Sequence, residues 1–344
     1  MTLLTETRIK KKRKIKVRIK ILLRILVLLT SGIIYENISR SLDSKKYPFV
    51  GKQIDVDGHS MHICADGTGG VTVVFGAGFQ IPSGYVDFYP LYREISKFTR
   101  VAVYDKPGYG WSDTTTAPRD IDTMTKEIHE VLSKAGEKPP YIYVAHSIAS
   151  LEAIRFAQLY PDEVGGIVLI DGSNPAMYTN IKKQSSFVYL RTSIFKGSIS
   201  LANNIGLGRL LLHTIFPYDS TPLSTGRNEM SGASEQLKNL DESLFLKTFN
   251  NRNQKDEGKN KEKNAATVLS HGYLGDIPLR IITSEELTNY EESKENQLNL
   301  LKWSANSRQV VVDGAGHAVH WFNPEVINKE ILELLKYTEG TYSN

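Results

Sequence analysis

Short, continuous runs of β-branched and aromatic residues recur along this chain, each followed by a stretch with helical spacing. Residues 71–75 read VTVVF, 100–104 RVAVY, 141–145 YIYVA, 166–170 GIVLI, 279–282 LRII and 309–312 QVVV. A strand that is apolar at nearly every position has to be buried on both faces. Helical patterns lie between and after these runs, at 85–98, from the acidic start at 120–122 to about 135, at 151–159, 292–304 and 324–337. Strands alternating with helices imply an α/β class with a mostly parallel central sheet and helices on both faces. Ahead of them, 53–56 and 60–65 flank Asp57-Gly58, a strong hairpin turn. Residues 174–275 break the alternation. They hold helix-like pieces at 200–213 and 235–250 but no buried strand, and the charge run at 255–263 reads as a solvated loop. A long insertion without strands is expected to be a helical lid. The expected organisation is a core of 47–173 and 276–340, a lid of 174–275, and a separate segment 1–40.

That first segment carries the charge asymmetry. The 344-residue chain has a net charge of +4, yet residues 1–24 hold ten Lys/Arg against Glu6 alone. The remainder is therefore acidic, and a nucleic-acid partner is not expected. An apolar stretch, ILLRILVLLTSGIIY at 21–35, follows the basic run. Basic then apolar is the layout of a signal peptide or signal anchor. The reading is an uncleaved N-terminal membrane anchor, a transmembrane helix with the folded body outside the cytoplasm. Secretion after signal cleavage, or a basic helix lying on the membrane surface, are the alternatives. The apolar and charged fractions, 40% and 23%, suit a globular domain with a sizeable core. The single cysteine, Cys64, excludes an internal disulfide framework. There is no CxxC and no HExxH, so no structural metal is expected. Gly67–Gly70 is a polar turn before a strand, not a phosphate loop after one, so neither a nucleotide site nor any other cofactor is expected.

Chemistry enters at VAHSIA, residues 144–149. The run at 141–145 stops and a helix begins at once, with Ser147 between Ala145 and Ala149. A strand–Ser–helix elbow lifts a serine hydroxyl above the sheet, and the positions two residues either side must be small; the usual form is G-x-S-x-G. A nucleophilic serine needs a base, an acid that orients the base, and donors for an oxyanion. Near the other end, VVVDGAGH at 310–317 delivers His317 on a glycine-containing loop after a buried strand, in the chain order expected of such a base. His129 and His271 lack that setting, and His320 lies one helical turn further on.

On four segments the chain resembles the α/β-hydrolase superfamily, most closely its esterase-like members with lid insertions: VVFGAGF at 73–79, DKPGYGWSD at 105–113, VAHSIA at 144–149 and GAGH at 314–317. VGGIVLID at 164–171 resembles the family's strand after the elbow helix, and the likeness covers nearly all of 50–340. It implies an α/β-hydrolase fold and an oxyanion hole of two backbone N–H groups, one from Ile148 and one from Ala77 or Gly78. It implies that 105–113 shapes the site without doing chemistry. The chain departs from the family at Phe75-Gly76, where His-Gly is common, and at Ser150, where a second glycine is common. The acid stays open. The family usually places it after the strand at 279–282, where this chain has Glu285 and Glu286; some members use the end of the strand after the elbow helix, here Asp171.

The expected function is a serine hydrolase, carboxylesterase- or lipase-like, acting on a small-molecule ester, thioester or amide through Ser147, His317 and Asp171, with Glu285 or Glu286 as the alternative acid. The expected rival is a non-catalytic, ligand-sensing protein on the same fold.

Overall fold

The computed structural model describes residues 2–179, 186–221, 224, 229 and 232–342. It opens with one long helix, α1 (Thr2–Lys46), and the hairpin β1 (Lys52–Val56) and β2 (His59–Asp66). Then come β3 (Thr72–Gly76), the short helices α2 (Gly84–Asp87) and α3 (Tyr89–Ile95), β4 (Arg100–Tyr104), α4 (Ile121–Ala135), β5 (Tyr141–His146), α5 (Ser150–Leu159) and β6 (Val164–Ile170). Every described element from there to residue 270 is helical: α6 (Ala176–Thr179), α7 (Ser186–Asn204), α8 (Leu207–Thr214), α9 (Glu235–Thr248) and α10 (Arg252–Ser270), apart from 3₁₀ turns. The alternation then resumes with β7 (Leu279–Ser284), α11 (Glu285–Thr288), α12 (Glu291–Leu300), β8 (Ser307–Val312), α13 (Val319–Phe322) and α14 (Pro324–Tyr342).

The eight strands form one sheet in the order β1-β2-β4-β3-β5-β6-β7-β8. β1 and β2 pair antiparallel, β2 joins β4 antiparallel, and all later pairings are parallel. The side-chain period of two divides each buried run between two layers. Val74, Tyr143, Ala145 and Leu169 pack under α4 and α5 with Met124, Ile128 and Phe156. Val73, Phe75, Val144 and Val168 pack on the opposite face under α3 and α14 with Leu91, Ile95 and Ile331. Both faces are covered, which is why these strands read as uninterrupted apolar runs.

Local signals set the helix ends. Asp120 accepts from Thr123 N to cap α4, and Gly136 closes it at φ 89°, a left-handed conformation that glycine adopts without strain. The helix expected over 85–98 is two pieces instead, because Pro90 opens α3 and has no N–H to continue the ladder from α2.

One expectation is corrected here. The run 255–263 is not a solvated loop but lies within α10, capped by Asn251, and its Glu257 is buried. Glu257 Oε1 and Glu152 Oε1 lie 2.8 and 2.7 Å from Lys106 Nζ, and Tyr109 donates to Glu257 Oε2 at 2.7 Å. Burial alone would strip the proton from Lys106, but the two carboxylates outweigh it and hold its pKa above that of an ordinary lysine. The network ties the 105–113 loop to the helical insertion. Lys106→Met leaves two buried carboxylates facing each other and is expected to cost about 3–5 kcal/mol of stability. Urea denaturation checks this; a loss below about 1 kcal/mol would mean that the carboxylates take up protons without strain.

The transmembrane helix expected within 1–40 finds no support in the structure. No helix among the described residues is long and apolar enough to cross a membrane. Lys20 and Arg24 interrupt the apolar stretch of α1, and charges within a span are costly.

Candidate active site

Every group of interest stands at the carboxyl edge of the parallel strands, where ligands bind in open α/β sheets. β5 ends at His146, and Ser147 follows with φ 56° before one 3₁₀ turn and α5. A non-glycine residue in that region is strained by about 1–3 kcal/mol. Such strain persists only where the surroundings enforce it, and here Ala145 and Ala149 are both completely buried. Their methyl groups pack in the layer under α4 and α5. The elbow therefore holds alanines where the motif usually has glycines.

β6 ends one strand away, and Asp171 follows it, also at positive φ (46°) and buried. Its Oδ2 lies 3.0 Å from His317 Nδ1. A carboxylate can only accept, so Nδ1 carries the proton and Nε2 is left free on the far side of the ring. Ser284, the last residue of β7, donates twice to the same carboxylate, from N at 2.6 Å and from Oγ at 2.7 Å. Glu285 and Glu286 go elsewhere. Glu285 Oε2 accepts from Gly314 N at 2.6 Å, and Glu286 Oε2 accepts from His317 N at 3.0 Å. They fasten the backbone of the histidine loop, whereas Asp171 meets the ring.

Ser147 and His317 line one cavity of about 470 Å³, with Gly78, Phe79, Ile81, Glu286, Trp321 and Phe322 among its walls. The loop after β3 lies against the serine: a Cβ at Gly78 would come within 3.4 Å of Ser147 Cβ and 3.3 Å of His146 Nδ1. Gly78 faces the cavity, while the Ala77 side chain is buried toward Gly84. Ile148 sits beyond the serine, half-buried against the core. Asp105 shapes this region without entering the cavity. Its carboxylate meets His62 Nδ1 at 2.8 Å and accepts from Ser83 Oγ and Gly84 N at 2.9 Å and from Trp111 N at 3.2 Å.

One cluster went unnoticed in the sequence. Asp87, His146 and His320 are all buried and bring ligand-type atoms within 4.8 Å of one another, a set that could hold a divalent cation. His320 Nε2 lies 3.3 Å from Asp87 Oδ2, and Trp321 Nε1 donates to the Asp87 carbonyl and to its Oδ1, both at 3.1 Å. His146 Nε2 faces the His317 carbonyl at 3.1 Å, so this ring also braces the histidine loop. Burial, then the neighbouring His320 and His317, drive the His146 pKa well below that of a free imidazole, and the ring is neutral. His146 stands beside the elbow serine, but His320 lies on a distant element and nothing in the sequence linked the two. Asp87 lies on another distant element and gave no signal.

The family model for the alpha/beta hydrolase fold matches residues 76–324. The uncharacterized protein YbdG of Bacillus subtilis is 26% identical over 316 residues, 91% of this chain and 94% of that protein. A 2-hydroxy-6-oxononadienedioate/2-hydroxy-6-oxononatrienedioate hydrolase of Paraburkholderia phymatum is 26% identical over 266 residues, 74% of this chain and 82% of its own length. Among solved structures, a thermophilic esterase from Thermogutta terrifontis superposes with a TM-score of 0.56 at 17% identity, covering 84% of this chain and 99% of the esterase, a likeness of fold.

Proposed function

This chain belongs to the alpha/beta hydrolase family, and on that premise we propose that it is a serine hydrolase cleaving a carboxylic ester, thioester or amide through an acyl-enzyme. Ser147 Oγ attacks the acyl carbonyl, and His317 Nε2 takes the hydroxyl proton. The electron pair moves to the carbonyl oxygen, which the N–H groups of Ile148 and of Ala77 or Gly78 receive. As the tetrahedral intermediate collapses, His317 passes the proton to the leaving group. Water then repeats the sequence on the acyl-enzyme, freeing the acid and restoring Ser147. Asp171 keeps Nδ1–H in place and stabilises the imidazolium at each transfer. Preorganised donors at the oxyanion contribute on the order of 10²–10³ in rate each, so the loop carrying Gly78 has to be held still, and its close packing on Ser147 supports that requirement.

The observation that carries this reading is the contact of His317 with the buried Asp171 at 3.0 Å, on the cavity that also contains the strained Ser147. Strain at a lone serine would serve no purpose in a protein that only binds a ligand, which weighs against the non-catalytic alternative. The esterase and hydrolase names among its relatives point the same way.

Labelling by a fluorophosphonate probe tests the proposal. The wild type is expected to be modified at Ser147, as located by peptide mass spectrometry, and His317→Ala is expected to lose the label while keeping its unfolding midpoint. A folded wild-type protein that is not labelled, or labelling that survives in His317→Ala, would overturn it.

A further inference from the structure

Helix α7 touches the loop that walls the cavity, and its outer side is unusual. Phe187 is 73% exposed, Phe195 64%, Leu201 62% and Ile194 61%. The inner side reaches a wall of the cavity. Lys196 donates to Gln80 Oε1 at 2.6 Å and stands 5.6 Å above the ring of Phe79, a cavity wall. One helix thus links a cavity wall to an apolar outer surface.

Helix α1 extends that surface. It is built into the helical insertion at its C-terminal part. Glu36 is buried and accepts from Arg209 Nε at 3.0 Å, and Arg209 also meets Asp43 at 2.8 Å. A Cβ at Gly32 would collide with the Ile205 carbonyl oxygen, so glycine lets the backbone of α1 press against the turn after α7. From that clamp toward its N-terminus, α1 leaves the body with its apolar side chains in the open, Leu28 at 71% and Leu22 at 64%. α1 and α7 are in contact.

The apolar stretch 25–34, left open along α1, needs a cover. The charge decides which cover. The ten Lys/Arg of residues 1–24 run directly into the apolar stretch. A second copy docked in parallel would bring two such runs together and be repelled, whereas an anionic lipid surface attracts them. Length sets the depth. Residues 21–34 extend about 21 Å as a helix, against roughly 30 Å of bilayer hydrocarbon. The stretch suits one leaflet and its interface, in keeping with the described residues, none of whose helices is long and apolar enough to span.

We propose that α1 and the outer face of α7 form a single docking surface for an anionic bilayer, and that it presents membrane-dissolved acyl substrates to the cavity containing Ser147. The second half of this proposal rests on the serine-hydrolase reading; the first does not.

The experiment is sedimentation of the full-length protein with vesicles of phosphatidylcholine alone and of phosphatidylcholine mixed with phosphatidylglycerol. Binding is expected with the mixed vesicles, weakened by high salt. In the triple variant Phe187→Glu, Ile194→Glu, Phe195→Glu it is expected to fall by at least ~10-fold, since interfacial affinity follows the apolar area inserted. The triple variant should keep its unfolding midpoint and its rate on water-soluble p-nitrophenyl acetate, but lose hydrolysis of a long-chain ester dissolved in the vesicles. Full-length protein left in the supernatant with mixed vesicles overturns the docking surface, as does its self-association through these faces in place of lipid binding. Undiminished binding of the triple variant overturns the role of α7. Vesicle binding without turnover of any ester would retain the surface and overturn the hydrolase reading instead.

Discussion

Ser147→Ala is expected to lower kcat for p-nitrophenyl butyrate by on the order of 10⁵–10⁶, leaving only what oxyanion donors and binding supply. KM should change little, because the hydroxyl contributes to the transition state and not to ground-state affinity. The same position makes a second, opposite prediction for stability. Ser147 holds φ at 56°, a region costly for any residue with a Cβ, so alanine keeps the strain and the unfolding midpoint should barely move. Ser147→Gly relieves it and should raise stability by about 1 kcal/mol while being equally inactive. Steady-state kinetics with thermal unfolding of the three proteins checks both statements. A Ser147→Ala enzyme retaining more than ~10⁻³ of wild-type kcat would move the nucleophile elsewhere. A destabilised Ser147→Gly would mean that the serine side chain holds the elbow and is not forced into it.

Much of this architecture was legible because its determinants are local. A strand covered on both faces must be apolar at every position, and the runs around Val74, Val144 and Val168 say so without reference to the rest of the chain. Ser147 and His317 announce themselves by the junctions in which they sit. What stayed illegible depends on neighbours distant in sequence. Glu257 belongs to a charge run that looks solvated, and only its partner Lys106, 151 positions away, makes it a buried group. Asp87 became a neighbour of His146 only through the fold that brings it against His320 and Trp321. The N-terminal segment is a related case: its composition suggested a span, and no helix among the described residues is long and apolar enough to be one. The choice between acids was of the same kind, since it turns on which strand lies beside which.

Asp171→Asn is expected to reduce kcat by about 10⁴, whereas Glu285→Gln and Glu286→Gln should each cost less than ~10-fold. The sheet order supplies the reason. β6 and β7 are adjacent, so Asp171 at the end of β6 and Ser284 at the end of β7 lie side by side, and Ser284 gives both N–H and Oγ–H to the carboxylate. The strand that would usually carry the acid thus carries its hydrogen-bond donor. An asparagine at 171 would turn an amide N–H₂ toward either His317 Nδ1 or Ser284. The first outcome favours the wrong imidazole tautomer; the second leaves a buried donor unpaired at a cost of about 1–3 kcal/mol. Glutamine at 285 or 286 still offers a carbonyl oxygen to Gly314 N or His317 N, so the loop remains fastened. Ser284→Ala separates the effects: it keeps the charge of Asp171 but removes one of its anchors, and a loss of roughly 10-fold is expected from reorientation alone. Kinetics of the four variants settles the ranking. Were Glu286→Gln the most damaging, the imidazole would have to turn away from β6 in the working enzyme and toward the loop that now only holds its backbone.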